Sequence, residues 1–221
     1  MRLSLLLLLP ILLYSTAVNG QDPTRFASEI GIIAEREFEK STTEPTVVFT
    51  GSSSIRMWEN LESSFHGYQV LNNGFGGSEF SDLMHYRKEL IYRFQPDMVF
   101  IYEGDNDVNS GKSTEEILED AILLLSDIQA TLPDAHLFLI AAKPSVARWH
   151  LKDEYERLNN ALLELTETDN FKRITFIDIW SPMLDDSGAV LDNIFISDNL
   201  HMNDKGYAIW ESVIGEYLPK K

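Results

Sequence analysis

Five short apolar runs alternate with amphipathic stretches along this chain, and that alternation leaves few folds open. The runs are Val47-Val48-Phe49, Val70-Leu71, Met98–Tyr102, residues 137–141 and residues 174–179, and each reads as a buried strand. Helical patterns lie between them. Ser113 and Glu116 have the spacing of a capping box, with Ile117, Ala121, Leu124, Leu125 and Ile128 as the buried stripe behind it and Pro133 past its end. A second helix is predicted over 151–166, with Tyr155, Leu158, Leu162 and Leu165 inward. A third closes the chain on Tyr207, Trp210, Ile214 and Leu218. One more precedes the first strand over 22–40, with Phe26, Ile30, Ile33 and Ala34 on one face. Strands alternating with helices imply right-handed crossovers. The expected architecture is therefore α/β, a mostly parallel five-stranded sheet covered on both faces, with ligands bound beyond the carboxyl ends of its strands. The 221 residues suffice for one buried core, and no repeat or linker interrupts them, so 21–221 reads as a single domain.

Residues 1–20 read differently. Arg2 precedes an apolar run over 3–13, and small and polar residues follow, the pattern of a secretory signal peptide. The run falls short of the roughly 20 apolar residues of a spanning helix, so a stable membrane anchor is not expected. A secreted or periplasmic protein is. Cysteine is absent, which excludes a disulfide framework and a thiol-linked lipid. The net charge of −17 argues against nucleic acid or an anionic membrane surface as the partner.

Four short motifs sit just after strands or just before the last helix. The first, residues 49–55, puts a glycine and three serines (Ser52, Ser53, Ser54) directly after the first strand, where helix N-terminal N–H groups favour negative charge. By itself it is equally a phosphate-cradling loop or a plain helix cap. The second, residues 72–78, has Gly74, Gly76 and Gly77, suited to a tight turn or to backbone amides turned toward an oxyanion. The third is Gly104-Asp105-Asn106-Asp107, whose amide is a neutral oxyanion donor; it lacks the acidic spacing and distal glutamate of a calcium loop, and no metal site is expected. The fourth is Ser197-Asp198-Asn199-Leu200-His201, in which a carboxylate three residues before an imidazole can accept from Nδ1 and leave Nε2 to take a proton. No other histidine of this chain has an acid at that spacing in a comparable loop. A hydroxyl, a base, an orienting acid and oxyanion donors thus fall at one rim of the inferred sheet, the set that nucleophilic catalysis requires.

In order and spacing these segments resemble the conserved blocks of the SGNH (GDSL-type) hydrolases. Gly104–Asp107 matches G-x-N-D, residues 198–201 match D-x-x-H, and Gly51-Ser52-Ser53 aligns with G-D-S. The resemblance implies a flavodoxin-like three-layer α/β/α sandwich and cofactor-free hydrolysis of esters. It implies Ser53 as nucleophile, Asp198 and His201 as its partners, and Ser53 N–H, Gly77 N–H and the Asn106 side chain as oxyanion donors. Ser52 stands where the family has Asp, a change that bears on how the loop is held. Arg56 either anchors that loop or meets an acidic substrate group. Arg148 and Trp149, with Trp58 and Tyr207, are candidates for a substrate face, because arginine grips acids and aromatic planes stack on sugars. The expected partner is a small-molecule or glycan ester, with acetyl or short-chain acyl groups carried on a carbohydrate or lipid. The competing readings are a flavodoxin-type phosphate-binding module and a non-catalytic glycan-binding domain.

Overall fold

The computed structural model describes residues 22–171 and 173–218; the leader expected over 1–20 lies outside them. Five strands, β1 (Thr46–Gly51), β2 (Gln69–Gly74), β3 (Met98–Tyr102), β4 (His136–Ile140) and β5 (Ile174–Ile177), form one sheet in the order β2-β1-β3-β4-β5. Every pairing is parallel. Strand order reverses between β1 and β3, so the loops leaving those two strands diverge and open a crevice at their carboxyl ends.

Alternation along the strands sorts side chains into two cores. Val48, Val99, Ile101, Leu137 and Leu139 face a layer made by α1 (Ala27–Glu35), α4 (Phe80–Leu90), α6 (Thr114–Thr131) and α7 (Lys152–Glu167). Val47, Phe49, Phe100, Phe138 and Ile140 face the opposite layer, built from α2 (Ser53–Arg56), α3 (Leu61–Ser64) and α8 (Asp204–Gly215). On that second face Phe49 stacks on Phe100 at 4.4 Å and Phe100 on Phe138 at 4.2 Å between ring centroids. These rings are register partners on adjacent strands, so the sheet carries an aromatic ladder across its middle. A short α5 (Asp105–Asn109) follows β3 directly.

The capping box is as the sequence predicts. Glu116 N–H donates to Ser113 Oγ at 3.2 Å, Ser113 N–H donates to the Glu116 carboxylate at 2.8 Å, and all five residues of the predicted stripe are buried. The first helix is shorter than the expected 22–40. A 3₁₀ turn at Pro23–Phe26 leads into α1, which stops at Glu35. Arg93 accounts for the stop, because its guanidinium takes the carbonyls of Ile33, Ala34 and Arg36. Arg36 itself leaves the helix to donate to the Asn72 carbonyl within β2. The fifth strand ends at Ile177 rather than 179, since the Asp178 carboxylate caps the N–H groups of Trp180 and Ser181 and turns the chain.

At Gly51 the backbone of β1 comes close against the end of β3. Its φ is +114°, and a Cβ there would lie 2.0 Å from the Tyr102 carbonyl oxygen. Replacing it with alanine forces both a disfavoured backbone conformation and a backbone collision. We expect Gly51→Ala to cost about 2 kcal/mol or more in stability, read as a lowered urea midpoint; an unchanged midpoint would refute this account of the close approach.

Candidate active site

The chain leaves β1 through Gly51, and Ser52 N–H immediately donates to the Tyr102 carbonyl at 3.0 Å. That bond pins the turn to the end of β3 and makes Ser53 the first residue of α2. Ser53 Oγ lies 2.9 Å from His201 Nε2. His201 Nδ1 lies 2.6 Å from Asp198 Oδ2, while Asp198 Oδ1 accepts from the N–H groups of Leu200 and His201, each at 2.9 Å. Asn199 turns the loop with a φ of +58°, and Ile196 N–H closes it on the His201 carbonyl. The carboxylate, ring and hydroxyl therefore stand in one hydrogen-bonded line. Partial burial works against the charge on Asp198, but the imidazole and the two backbone donors outweigh it and hold the carboxyl at about 2. An ionised Asp198 fixes Nδ1 as the protonated nitrogen, which leaves Nε2 an acceptor for the Ser53 proton.

The glycine segment lies beside this line. Gly74 packs on α2 so tightly that a Cβ would come 2.3 Å from Arg56 N. Gly76 N–H donates to Glu29, and Gly77 follows in a left-handed turn. Asn106, in the first turn of α5, completes the rim. Its Nδ2 donates to Ser52 Oγ at 2.6 Å and to the Ser78 carbonyl at 2.9 Å. One of those hydrogens must be redirected before Asn106 can serve a substrate oxygen.

The remaining candidates divide. The Arg56 guanidinium lies against Gly76 and 3.5 Å from Glu29, the loop-anchoring alternative of the two expected for it. Arg148 is turned inward: Nη1 bonds the Asp105 carbonyl and carboxylate, and Nη2 donates to Asn106 Oδ1 at 3.1 Å. A guanidinium so committed is not free to grip a substrate acid. Trp149 stacks on Trp180 and packs against the core, with Lys152 over its ring. Trp58 is buried between Phe49, Tyr207 and Trp210, and the Tyr207 hydroxyl donates to the Ser54 carbonyl. Arg148 and Trp58 are thus taken up inside the protein, while Trp149 and Tyr207 stay half-buried.

Sequence reasoning missed the support beneath the rim. Asp105 is buried and receives Tyr102 Oη, Tyr155 Oη, Arg148 and Lys143. Burial opposes its charge, yet Lys143 and Arg148 hold its carboxyl well below the usual range. Lys143 is itself 1 % exposed and donates to the Leu200 carbonyl at 2.8 Å, inside the histidine loop. Asp107 bonds Lys112 and the Phe80 N–H at the start of α4, and burial pushes it up to about 6 against the pull of that lysine. Glu103 accepts from Ser78 Oγ at 2.7 Å, and its other oxygen has no partner among the described residues. Burial, with Asp107 nearby, raises it well above the usual carboxylate value, which favours its uncharged form. Asp105 and Asp107 thus face the protein's own cations, and among the described residues no cluster of acids and histidines is arranged for a metal ion.

The fold recurs in known proteins. Solved structures with the same fold include a GDSL-like lipase from Bacteroides thetaiotaomicron VPI-5482, at 19% identity and a TM-score of 0.68, covering 89% of this chain and 97% of that one. Another is an acetylxylan esterase from Geobacillus stearothermophilus, solved as a catalytic mutant, at 16% identity and 0.63, covering 83% and 98%. Among curated proteins, the N-acylneuraminate cytidylyltransferase of Escherichia coli O18:K1:H7 (strain RS218) is 26% identical over 175 residues. That match takes in 78% of this chain but spans only 40% of the relative's length. The family model for GDSL-like lipases and acylhydrolases matches residues 41–209, and this chain belongs to the GDSL-like lipase/acylhydrolase family.

Proposed function

We propose that this chain is an exported serine esterase that removes acetyl or short acyl groups from a carbohydrate or another small alcohol. The observation that carries the reading is the line Ser53 Oγ, His201 Nε2, His201 Nδ1 and Asp198 Oδ2, with contacts of 2.9 and 2.6 Å. His201 takes the Ser53 proton as Oγ bonds to the ester carbonyl carbon, and Asp198 stabilises the imidazolium. The carbonyl oxygen gains negative charge among Ser53 N–H, Gly77 N–H and Asn106 Nδ2. Collapse expels the alcohol, which takes the proton from His201 and leaves an acyl-serine. Water, deprotonated by the same imidazole, then releases the acid and restores Ser53.

Ser52 has a specific part in this scheme. A neutral hydroxyl holds the Asn106 amide less strongly than a carboxylate would, so the amide hydrogen turns more readily to the growing oxyanion. The substrate class draws support from the acetylxylan esterase with this fold and from the −17 charge, which disfavours anionic polymers. Export rests on the leader pattern of residues 1–20.

Ser53→Ala is expected to lower turnover on p-nitrophenyl acetate and acetylated xylan by about three orders of magnitude or more, and to abolish labelling by a fluorophosphonate probe with the fold intact. Near-wild-type rates from that variant would sink the assignment. The orienting acid is testable in its own right. Asp198, held at about 2, keeps its charge through the mildly acidic range and so keeps Nδ1 the protonated nitrogen there. Asp198→Asn should lower kcat/KM by about two orders of magnitude or more, and a variant as active as the wild type would contradict this scheme.

A further inference from the structure

We infer that Arg148 is the positioning residue for the Asn106 oxyanion donor, an inference that rests on the esterase reading of the site. An asparagine amide presents nearly the same shape with its oxygen and nitrogen exchanged, and only its neighbours decide which end faces the substrate. Two neighbours decide it here from opposite sides. The Ser78 carbonyl only accepts, and it takes a hydrogen from Nδ2 at 2.9 Å. The Arg148 guanidinium only donates, and it gives a hydrogen to Oδ1 at 3.1 Å. In the exchanged orientation, amide hydrogens would meet guanidinium hydrogens on one side and oxygen would meet oxygen on the other.

The guanidinium is itself immobile. Its Nη1 is held by the Asp105 carbonyl and carboxylate, and Tyr155 Oη bonds both of those same groups from the α7 side. The Arg148 side chain is 12 % exposed, so its charge acts on the amide through little water. That charge draws electron density toward Oδ1 and makes the Nδ2 hydrogens stronger donors, the property an oxyanion needs. Arg148 also stands next to Ala147, whose N–H donates to the Asn199 carbonyl at 3.0 Å in the histidine loop. One short segment after β4 thus sets the donor and braces the base. Lysine cannot replace this arginine, because an ammonium lacks the planar fork that reaches Asp105 and Asn106 together.

The test is a double-mutant cycle with Asn106→Ala, read by kinetics and by NMR. Arg148→Lys, which keeps a cation beside Asp105, should melt near the wild type but lose at least about tenfold in kcat with KM little changed. Arg148→Met should lose more. In the Asn106→Ala background either substitution should change kcat by less than about twofold, since the donor to be positioned is gone. The Asn106 side-chain ¹⁵N–¹H₂ pair, identified by its loss in Asn106→Ala, should broaden or collapse toward free-amide shifts in both Arg148 variants. Full kcat in Arg148→Lys with an unmoved amide pair would overturn the inference, as would losses that multiply in the double variant. Ser53→Ala measured in parallel separates the two readings: if it keeps wild-type activity the esterase mechanism falls, while the amide resonances still decide whether Arg148 holds Asn106.

Discussion

The carboxylate of Asp105 sits beneath the rim of the candidate site with two cations and two phenols directed at it, and the loops above depend on that arrangement. It belongs to the turn leaving β3, Lys143 and Arg148 to the segment leaving β4, and Tyr155 to α7. Three charges buried together would be costly if any one lacked a partner. Each has one here, and the spare hydrogen-bonding capacity of the cations is spent on Asn106 and on Leu200. The Asn106 amide and the His201 loop are thereby referred to a single buried point, although 95 residues separate Asn106 from His201 in the chain.

The acids around the start of α4 follow a different logic. Asp82 is matched by Arg25, and Lys112 lies between Glu79, Asp107 and Asp120. Glu103, without a cation, is shifted by burial toward its uncharged form. A chain of net charge −17 thus places part of its acidity inside, beside its own cations or shifted toward neutrality.

The sequence made the frame legible because the frame is local. Strand runs, the Ser113 capping box and the α6 stripe are written within windows of a few residues, and so is the three-residue spacing of Asp198 and His201. Ser53 was separable from Ser52 and Ser54 only through the family pattern; in the structure it is the serine whose Oγ meets His201. What escaped was long-range. Nothing near Arg36 says that Arg93, 57 residues on, will take its carbonyl and end the helix. Nothing near Arg148 says that its guanidinium turns inward to Asp105 and Asn106. Lys143 gave no signal at all, since a lysine that is fully buried is rare enough that exposure is the default expectation.

The aromatic ladder of Phe49, Phe100 and Phe138 has a consequence at the far end of the strands. Because the rings must lie face to face, β1, β3 and β4 cannot slide past one another without unstacking. A slip of one residue would move each ring to the wrong face of the sheet and displace one strand end by about 3.3 Å. That is more than a hydrogen bond can stretch, so the turn carrying Ser52 and Ser53 would lose both the Tyr102 carbonyl and the Asn106 amide that hold it. Three buried phenylalanines therefore act as a ruler, setting the height at which the Ser52–Ser53 turn and the Asn106 amide meet.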